Sequence, residues 1–274
     1  GQPERDDQGR PYAWVQLFEV TPLPPFLEGP VHALKVQADT ASARSLHQQV
    51  KESELFDRKL GMYKVNASLA SESHEIGRAR AFPPGWLENE SIWLHMEYKY
   101  LLELLRAGLY AEFYEALRTA LVPFQPPARY GRSPLENSSF IVSSAHPDPA
   151  LHGAGFVARL SGSTAEFLSL WTSMMAGERP FLVSGGELQL KLSPALPGWF
   201  FTDPGIVSFR FLGQCDVTYH NPRRLDTFAE GIEPRRIVLW PSEAESVEIT
   251  GHTVGAPYAE MVRSGDIGRV EVFF

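Results

Sequence analysis

The chain changes its hydrophobic period once, and that change constrains the fold more than any other feature. Up to about residue 176, apolar residues recur at helical spacing. From about residue 186 they alternate or run in β-branched stretches between turn residues. ELQLKL (187–192), GIVSFRFL (205–212), DVTYH (216–220), RRIVLW (235–240), SVEIT (246–250) and RVEVFF (269–274) read as strands. Helices first and strands last is a segregated layout, not the alternation of a βαβ protein. The expected class is mainly α with a C-terminal β layer, divided into residues 1–185 and 186–274.

Within the helical part, residues 11–40 mix short apolar runs with TPLPPFLEGP (21–30), whose prolines forbid a regular helix, so this stretch is expected to be extended or looping over something larger. TASARSLHQQVKESEL (40–55) reads as a helix capped near Thr40 or Ser42. Residues 91–108, SIWLHMEYKYLLELLRAG, form the clearest helix, with Ile92, His95, Lys99, Leu102 and Leu105 near one stripe and Gly108 as its stop. A second follows over 109–122, with Leu109, Phe113, Ala116, Leu117 and Ala120 at helical spacing, giving an αα-hairpin. A third begins near Thr164, and Phe167, Leu168, Trp171, Met174 and Met175 are its expected buried face.

Several function classes are excluded at this level. A net charge of −8 over 274 residues argues against nucleic acid, which calls for a basic footprint. No apolar run approaches the roughly 18 residues of a membrane span. GQPERDDQGR (1–10) lacks the apolar core of a signal peptide and reads as a cut edge. The lone Cys215 has no partner for an internal disulfide, which suits a reducing cytoplasm. The sequons at Asn66, Asn89 and Asn137 then read as chance matches. His146 and His152 lack the companions of a zinc site, and no P-loop or nucleophile elbow occurs. Neither a metal nor a cofactor is expected.

Three polar constellations remain. In RLSGSTAEF (159–167), Ser163 and Glu166 have the spacing of a capping box. Ser161 and Gly162 fit an anion site, where helix amides and the positive dipole end meet a close backbone approach. The two readings are compatible, with Arg159 as a nearby cation. In LENESIWLHMEYKY (87–100), Glu88 and His95 lie seven apart and share a face if one helix carries both. They are either a first-turn acid and a buried histidine, or a sugar ligand and an anion contact. In LENSSFIVSSAHPDPALHG (135–153), Glu136, Asn137, Ser138, Ser143, Ser144 and His146 surround Phe140–Val142, as an ordinary loop or a substrate contact.

ENESIWLH (88–95), the LEN segment, RLSGSTAEF and PFLVSGGELQLKLSPALPGWFF (180–201), in this order, resemble the C-terminal half of the inverting phosphorylases of glycoside hydrolase family 94. The similarity covers roughly residues 85–220 and is greatest to the 1,2-β-oligoglucan phosphorylase branch. That family carries Glu-Asn-Gly-Gly-Ile-x-x-His, Glu-Pro-Tyr, and Thr-Gly or Ser-Gly before a helix. Here Glu90 and Ser91 stand at the glycine pair, and Asn137 and Ser138 at Pro-Tyr.

The resemblance implies part of an (α/α)6 barrel followed by a small β-sandwich or β-sheet domain. It implies that His95 and the Ser161–Gly162 turn hold inorganic phosphate as co-substrate, with Arg159 added here on charge. Glu88 falls in the sugar site, and Glu136, Ser143 and Ser144 lie in segments where the family contacts substrate. The general-acid aspartate is expected upstream of Gly1, so no catalytic residue is assigned in this chain and the fragment alone is expected to be inactive. The implied partners are an oligosaccharide, phosphate and the remaining N-terminal part of the enzyme, with a homodimer left open. Two rivals stand beside this reading: a hydrolase using Glu88 and Glu136 around water, and a non-catalytic glycan-binding module.

Overall fold

The computed structural model describes residues 4–12, 16–17, 20–156, 162–242 and 244–274. A short exposed ribbon pairs β1 (Glu4–Arg5) with β2 (Pro11–Tyr12). Helix α1 (Glu28–Lys35) corrects the expectation of an extended stretch over 11–40: Pro30 lies in its first turn, where no intrahelical amide is needed, and Val31 and Leu34 are buried; α2 (Thr40–Glu52) follows. The cap of α2 is Asp39, whose carboxylate accepts from the Ser42 amide at 2.8 Å, so the capping oxygen comes one residue earlier than Thr40. A second ribbon, β3 (Phe56–Asp57) and β4 (Met62–Tyr63), leads through a loop to β5 (Ile92–Trp93).

Next come α3 (Leu94–Arg106) and α4 (Tyr110–Ala120) as an antiparallel hairpin. Gly108 takes φ +73°, and the Leu109 and Gly108 amides close back on the Leu104 and Leu105 carbonyls at 2.9 and 3.1 Å. That paired closure needs a residue free to adopt the left-handed region, and it stops the helix. Phe113, Ala116, Leu117 and Ala120 are the buried face of α4.

Helix α3 has no single apolar stripe. Leu94, Tyr98, Tyr100, Leu101, Leu102, Leu104 and Leu105 are all buried, because α1, α4 and α6 (Gly162–Ala176) pack around it. Ile92 belongs instead to a strand, and His95 and Lys99 lie on the partly open side.

A one-turn helix, α5 (Pro127–Tyr130), precedes β6 (Phe140–Ile141) and β7 (Gly155–Phe156). Strands β5, β6 and β7 form a small antiparallel sheet with β6 in the middle. This sheet organises both neighbouring helices. The Leu94 amide donates to the Ser139 carbonyl at 3.1 Å, and the Ser163 hydroxyl donates to the Ser138 carbonyl at 3.2 Å. The first turns of α3 and α6 are therefore pinned to adjacent residues. Farther along, Tyr98 faces Phe167 with ring centroids 6.3 Å apart, and Arg106 reaches Glu178 at 3.4 Å. Helices α3 and α6 run parallel, with their starts together.

The buried face of α6 differs from expectation. Leu170, Met174 and Met175 are buried and Phe167 is half-buried, but Leu168 is 58% exposed and Trp171 42% exposed. With Ser163 fixed to the Ser138 carbonyl, two residues before β6, residues 163, 170 and 174 face inward.

The remainder is mainly β. Strands β8 (Phe181–Ser184) and β9 (Glu187–Leu190) make a hairpin whose turn is Gly185–Gly186. The division expected at 185/186 falls at that turn, so pairing from Phe181↔Leu190 to Ser184↔Glu187 joins its two sides. Then follow β10 (Ile206–Phe211), β11 (Cys215–His220), β12 (Arg236–Pro241), β13 (Val247–Thr250), α7 (Tyr258–Ser264) and β14 (Ile267–Phe273). They form one five-stranded sheet, order β10-β11-β14-β12-β13, with β11 and β14 parallel and the other neighbours antiparallel.

One apolar core runs from Leu27 in the first helices to Val272 in the last strand. Buried tyrosines lock the two parts: Tyr219 donates to the Met175 carbonyl at 2.5 Å, and Tyr114 donates to the Ala195 carbonyl. Cys215 lies in this core, and burial pushes its thiol up to about 11. Asn66 and Asn89, two of the three sequon asparagines, are also buried. Among the described residues no helix is long and apolar enough to cross a membrane.

Candidate functional site

The chemistry-bearing residues gather where α3 and α6 begin. His95 occupies the first turn of α3, whose start at Trp93 has no side-chain cap. Its ring lies directly against Gly162. A Cβ added at Gly162 would sit 2.6 Å from His95 Nδ1, 2.7 Å from Cγ and 2.9 Å from Cε1. Only a residue without a side chain permits that approach, so the glycine is explained by His95. On its other side, His95 Nε2 lies 3.5 Å from Glu166 Oε1.

These contacts revise the capping-box reading. The Ser163 hydroxyl is buried and turned to the Ser138 carbonyl, and the Glu166 carboxylate faces His95. Arg159 and Ser161 lie outside the described residues.

Two parallel helices that start side by side bring two positive dipole ends together, each with first-turn amides lacking intrahelical partners. An anion relieves that repulsion, and the imidazole between the helices supplies another donor. The arrangement is chemically suited to a small oxyanion.

Glu88 reaches this region differently from expectation. Helix α3 starts at Leu94, so no continuous helix carries both Glu88 and His95. Residues 86–89 form a tight turn in which Trp86 and Asn89 exchange backbone hydrogen bonds, both 3.1 Å. Leu87 and Glu90 take φ +49° and +54°, in the left-handed region. Such a residue costs about 1–2 kcal/mol. Buried Asn66 offsets the cost at Glu90: its Nδ2 donates to the Glu88 carbonyl at 2.8 Å, and its Oδ1 accepts from the Glu90 amide at 2.6 Å. Two such hydrogen bonds contribute about 2 kcal/mol together. Lys64 adds an ion pair to Glu90 at 2.9 Å. Glu88 itself is forked by Arg78, with Nε to Oε2 at 2.8 Å. Arg78 is largely exposed, so this pair exchanges partners at little cost.

The other candidates have structural partners. Glu136 pairs with Arg132 at 2.9 Å, four residues earlier in a non-helical loop, at the surface. Ser143 is fully buried, and its hydroxyl accepts from the Ala145 amide at 3.2 Å. Ser144 is bound through both its amide, 2.6 Å, and its hydroxyl, 2.9 Å, to buried Asp57. Asp57 also accepts from the Lys59 and Leu60 amides, at 3.0 and 3.1 Å. Asp57→Ala therefore strands several donors at once and is expected to lower stability by on the order of 3 kcal/mol. Urea unfolding checks this, and an unchanged midpoint contradicts Asp57 as the anchor of the 143–146 loop.

His146 and His152 are bound to their own loop. His152 Nε2 meets the His146 carbonyl at 2.8 Å, and its Nδ1 meets Lys59 Nζ at 2.6 Å. Among the described residues no group of three or more His, Cys, Asp or Glu is arranged to hold a metal ion.

No protein-family model and no curated protein matches the chain. Two sizeable cavities lie elsewhere. One, of about 450 Å³, is lined by Lys35, Asp39, Glu103, Arg106 and Glu178. The other, of about 560 Å³, is walled by Tyr110, Tyr114, Trp199 and Phe228. Neither is lined by His95, Glu88 or Gly162. Both places carry carboxylates beside their cations, Glu166 at His95 and Glu103 and Glu178 in the 450 Å³ cavity, and the His95–Gly162 corner is preferred for anion chemistry because two helix N-termini meet there.

Sequence reasoning missed Glu166 as the partner of His95 and Asp57 as the anchor of Ser144. Glu166 one turn into a helix was legible as an acid near a positive end, but its direction depends on where α3 lies.

Proposed function

We propose that the chain is the phosphate-holding part of an inverting phosphorylase that cleaves β-glucosidic bonds of oligosaccharides, with inorganic phosphate as co-substrate. The observation that carries this reading is the contact of His95 with Gly162 where α3 and α6 begin together. A second observation supports it. The resembling family has glycine at the position of Glu90, and Glu90 holds φ +54°, the backbone conformation that glycine adopts without strain. Parallel α3 and α6, with α4 returning beside α3, also suit two inner helices and one outer helix of an (α/α) barrel.

In this mechanism phosphate lies at the paired helix starts, with amides and His95 holding its oxygens, together with Ser161 and Arg159. Glu166, 3.5 Å from Nε2, restrains the ring so that Nδ1 stays beside Gly162. One phosphate oxygen attacks the anomeric carbon in line. The glycosidic C–O bond breaks, and a carboxylic acid outside this chain gives its proton to the leaving oxygen. The products are a sugar 1-phosphate and a shortened glycan. Glu88 is assigned to sugar hydroxyls, which requires its exposed pair with Arg78 to open. The reaction needs positioning and charge stabilisation from these residues and no further cofactor. A lone buried cysteine suits a cytoplasmic location for the enzyme.

His95→Ala is expected to weaken phosphate binding about tenfold or more, leaving affinity for neutral sugar unchanged. Calorimetry with inorganic phosphate measures it, and equal loss for both ligands, or none, overturns the role. In an active enzyme, product formed equally fast without phosphate favours hydrolysis by Glu88 and Glu136 instead.

A further inference from the structure

We infer that the aromatic-walled cavity between α4 and residues 197–199 and 226–228 binds a neutral oligosaccharide. This inference does not rest on the phosphate site. The cavity holds about 560 Å³, within the range of small-ligand sites. Tyr110 and Phe228 stack at 4.6 Å, and Trp199 stands at 85° to Tyr114. Trp199 is 48% exposed, a large apolar ring left wet beside a concavity.

Glu115, Arg118, Thr119 and Asp226 line the same space; Glu115 is paired with Lys51 at 2.9 Å and Thr119 donates to the Gly61 carbonyl, which leaves Arg118 and Asp226 for a ligand. The Arg118 guanidinium rests 4.4 Å from the centre of the Trp199 ring and has no carboxylate partner among the described residues. Asp226 is fixed through Oδ1, which accepts from the Gly198 amide at 2.7 Å, and it pairs with no cation among the described residues.

A pyranose fits this set. Its C–H faces pack on aromatic rings, and its hydroxyls need both donors and acceptors. The Arg118 guanidinium donates and the Asp226 carboxyl oxygens accept, so together they satisfy a polyol. Their charges cancel, so a phosphate or other anion gains from one and is repelled by the other. A flat heterocycle uses the rings but leaves both charged groups desolvated without partners.

The wall is also built in advance. Thr227 donates to the Pro194 carbonyl at 2.6 Å and accepts from the Leu196 amide at 2.8 Å, tying the two loop segments together. At Gly198 the Arg224 carbonyl fills the space where a Cβ would stand. A preformed wall lowers the ordering cost of binding. The site is separate from His95 and Gly162, so it holds a glycan chain away from any bond being cleaved there.

The test is calorimetry of this chain with neutral gluco-, galacto- and manno-tetraoses, with indole as a flat control. Saturable binding of one tetraose at millimolar concentration is expected, weakened about tenfold or more by Trp199→Ala and by Arg118→Gln, and unchanged by His95→Ala. Both substituted side chains are at the surface, and equal melting temperatures show that the fold is kept. Absence of tetraose binding, binding that survives both substitutions, or preference for indole overturns the inference. Loss of phosphate binding alone in His95→Ala bears only on the other site.

Discussion

Gly162→Val weakens phosphate binding by about a hundredfold, equivalent to close to 3 kcal/mol, while the protein stays folded. The β-carbon alone would stand 2.6 Å from His95 Nδ1, closer than any non-bonded contact. The imidazole must rotate away, and the two valine methyls then cover the α6 amides that an anion would approach. The fold survives because the obstacle is the end of a half-exposed side chain, while Leu170, Met174 and Met175 keep α6 in the core. Alanine at the same position is expected to give an intermediate loss. Titration with inorganic phosphate, paired with thermal melting, measures both quantities. Wild-type phosphate affinity in the valine variant removes the basis for an anion at this corner.

The second large effect concerns pH. Glu97 lies in the first turn of α3, fully buried, and its Oε1 accepts from the Tyr63 amide at 2.9 Å. Its Oε2 has no partner among the described residues. Loss of hydration pushes this carboxyl up to about 8 from an ordinary 4.5. The folded state therefore keeps a proton that the unfolded chain releases between those two values. Stability from this group is present in full below about 4.5 and falls as pH rises towards about 8. The slope is about 1.4 kcal/mol per pH unit, so on the order of 3 kcal/mol is lost between pH 5 and 7. Glu97→Gln removes the slope, and the variant becomes progressively more stable than wild type as pH rises through this window. Chemical denaturation at successive pH values measures the difference. A wild-type minus variant curve that is level across the window contradicts a neutral buried carboxyl.

Local signals were legible where local chemistry decides the outcome. The spacing of Phe113, Ala116, Leu117 and Ala120 marks the inner face of α4, and Gly108 marks a stop that no other residue makes as easily. The alternating segments after residue 186 correspond to β9 through β14. Other features depend on partners distant in sequence. Ile92 and Trp93 continue the helical pattern of α3, yet they pair with Ile141 and Phe140, so the helix starts later. Helix α3 lost its stripe because neighbours cover nearly all of it. Trp171 and Leu168 look like core residues until Ser163 is fixed to the Ser138 carbonyl, which turns them outward. Helix α7 escaped notice because seven residues between Pro257 and Gly265 show too little periodicity.

The candidate site divides in the same way. A glycine near a helix start suggested close approach by something, but not that the something is His95. Ser143 and Ser144 were attractive as hydroxyls, and Asp57, 87 positions away from Ser144, uses that polarity for structure. Nothing in the spacing of Glu88 and His95 showed that Leu87 and Glu90 turn left-handed between them, since that turn is held by Asn66 from another segment.

The position of β14 has a consequence for how the last third of the molecule comes together. The hairpins β10–β11 and β12–β13 each close locally, and within the sheet the strand from Ile267 to Phe273 bridges them, slotting between β11 and β12. Until that insertion, both hairpins present raw edges of unpaired amides and carbonyls to solvent. A nick anywhere between Thr250 and Ile267 makes the insertion a meeting of separate pieces. Insertion therefore covers the two inner hairpin edges, on β11 and β12, and leaves β10 and β13 as the edges of the finished sheet.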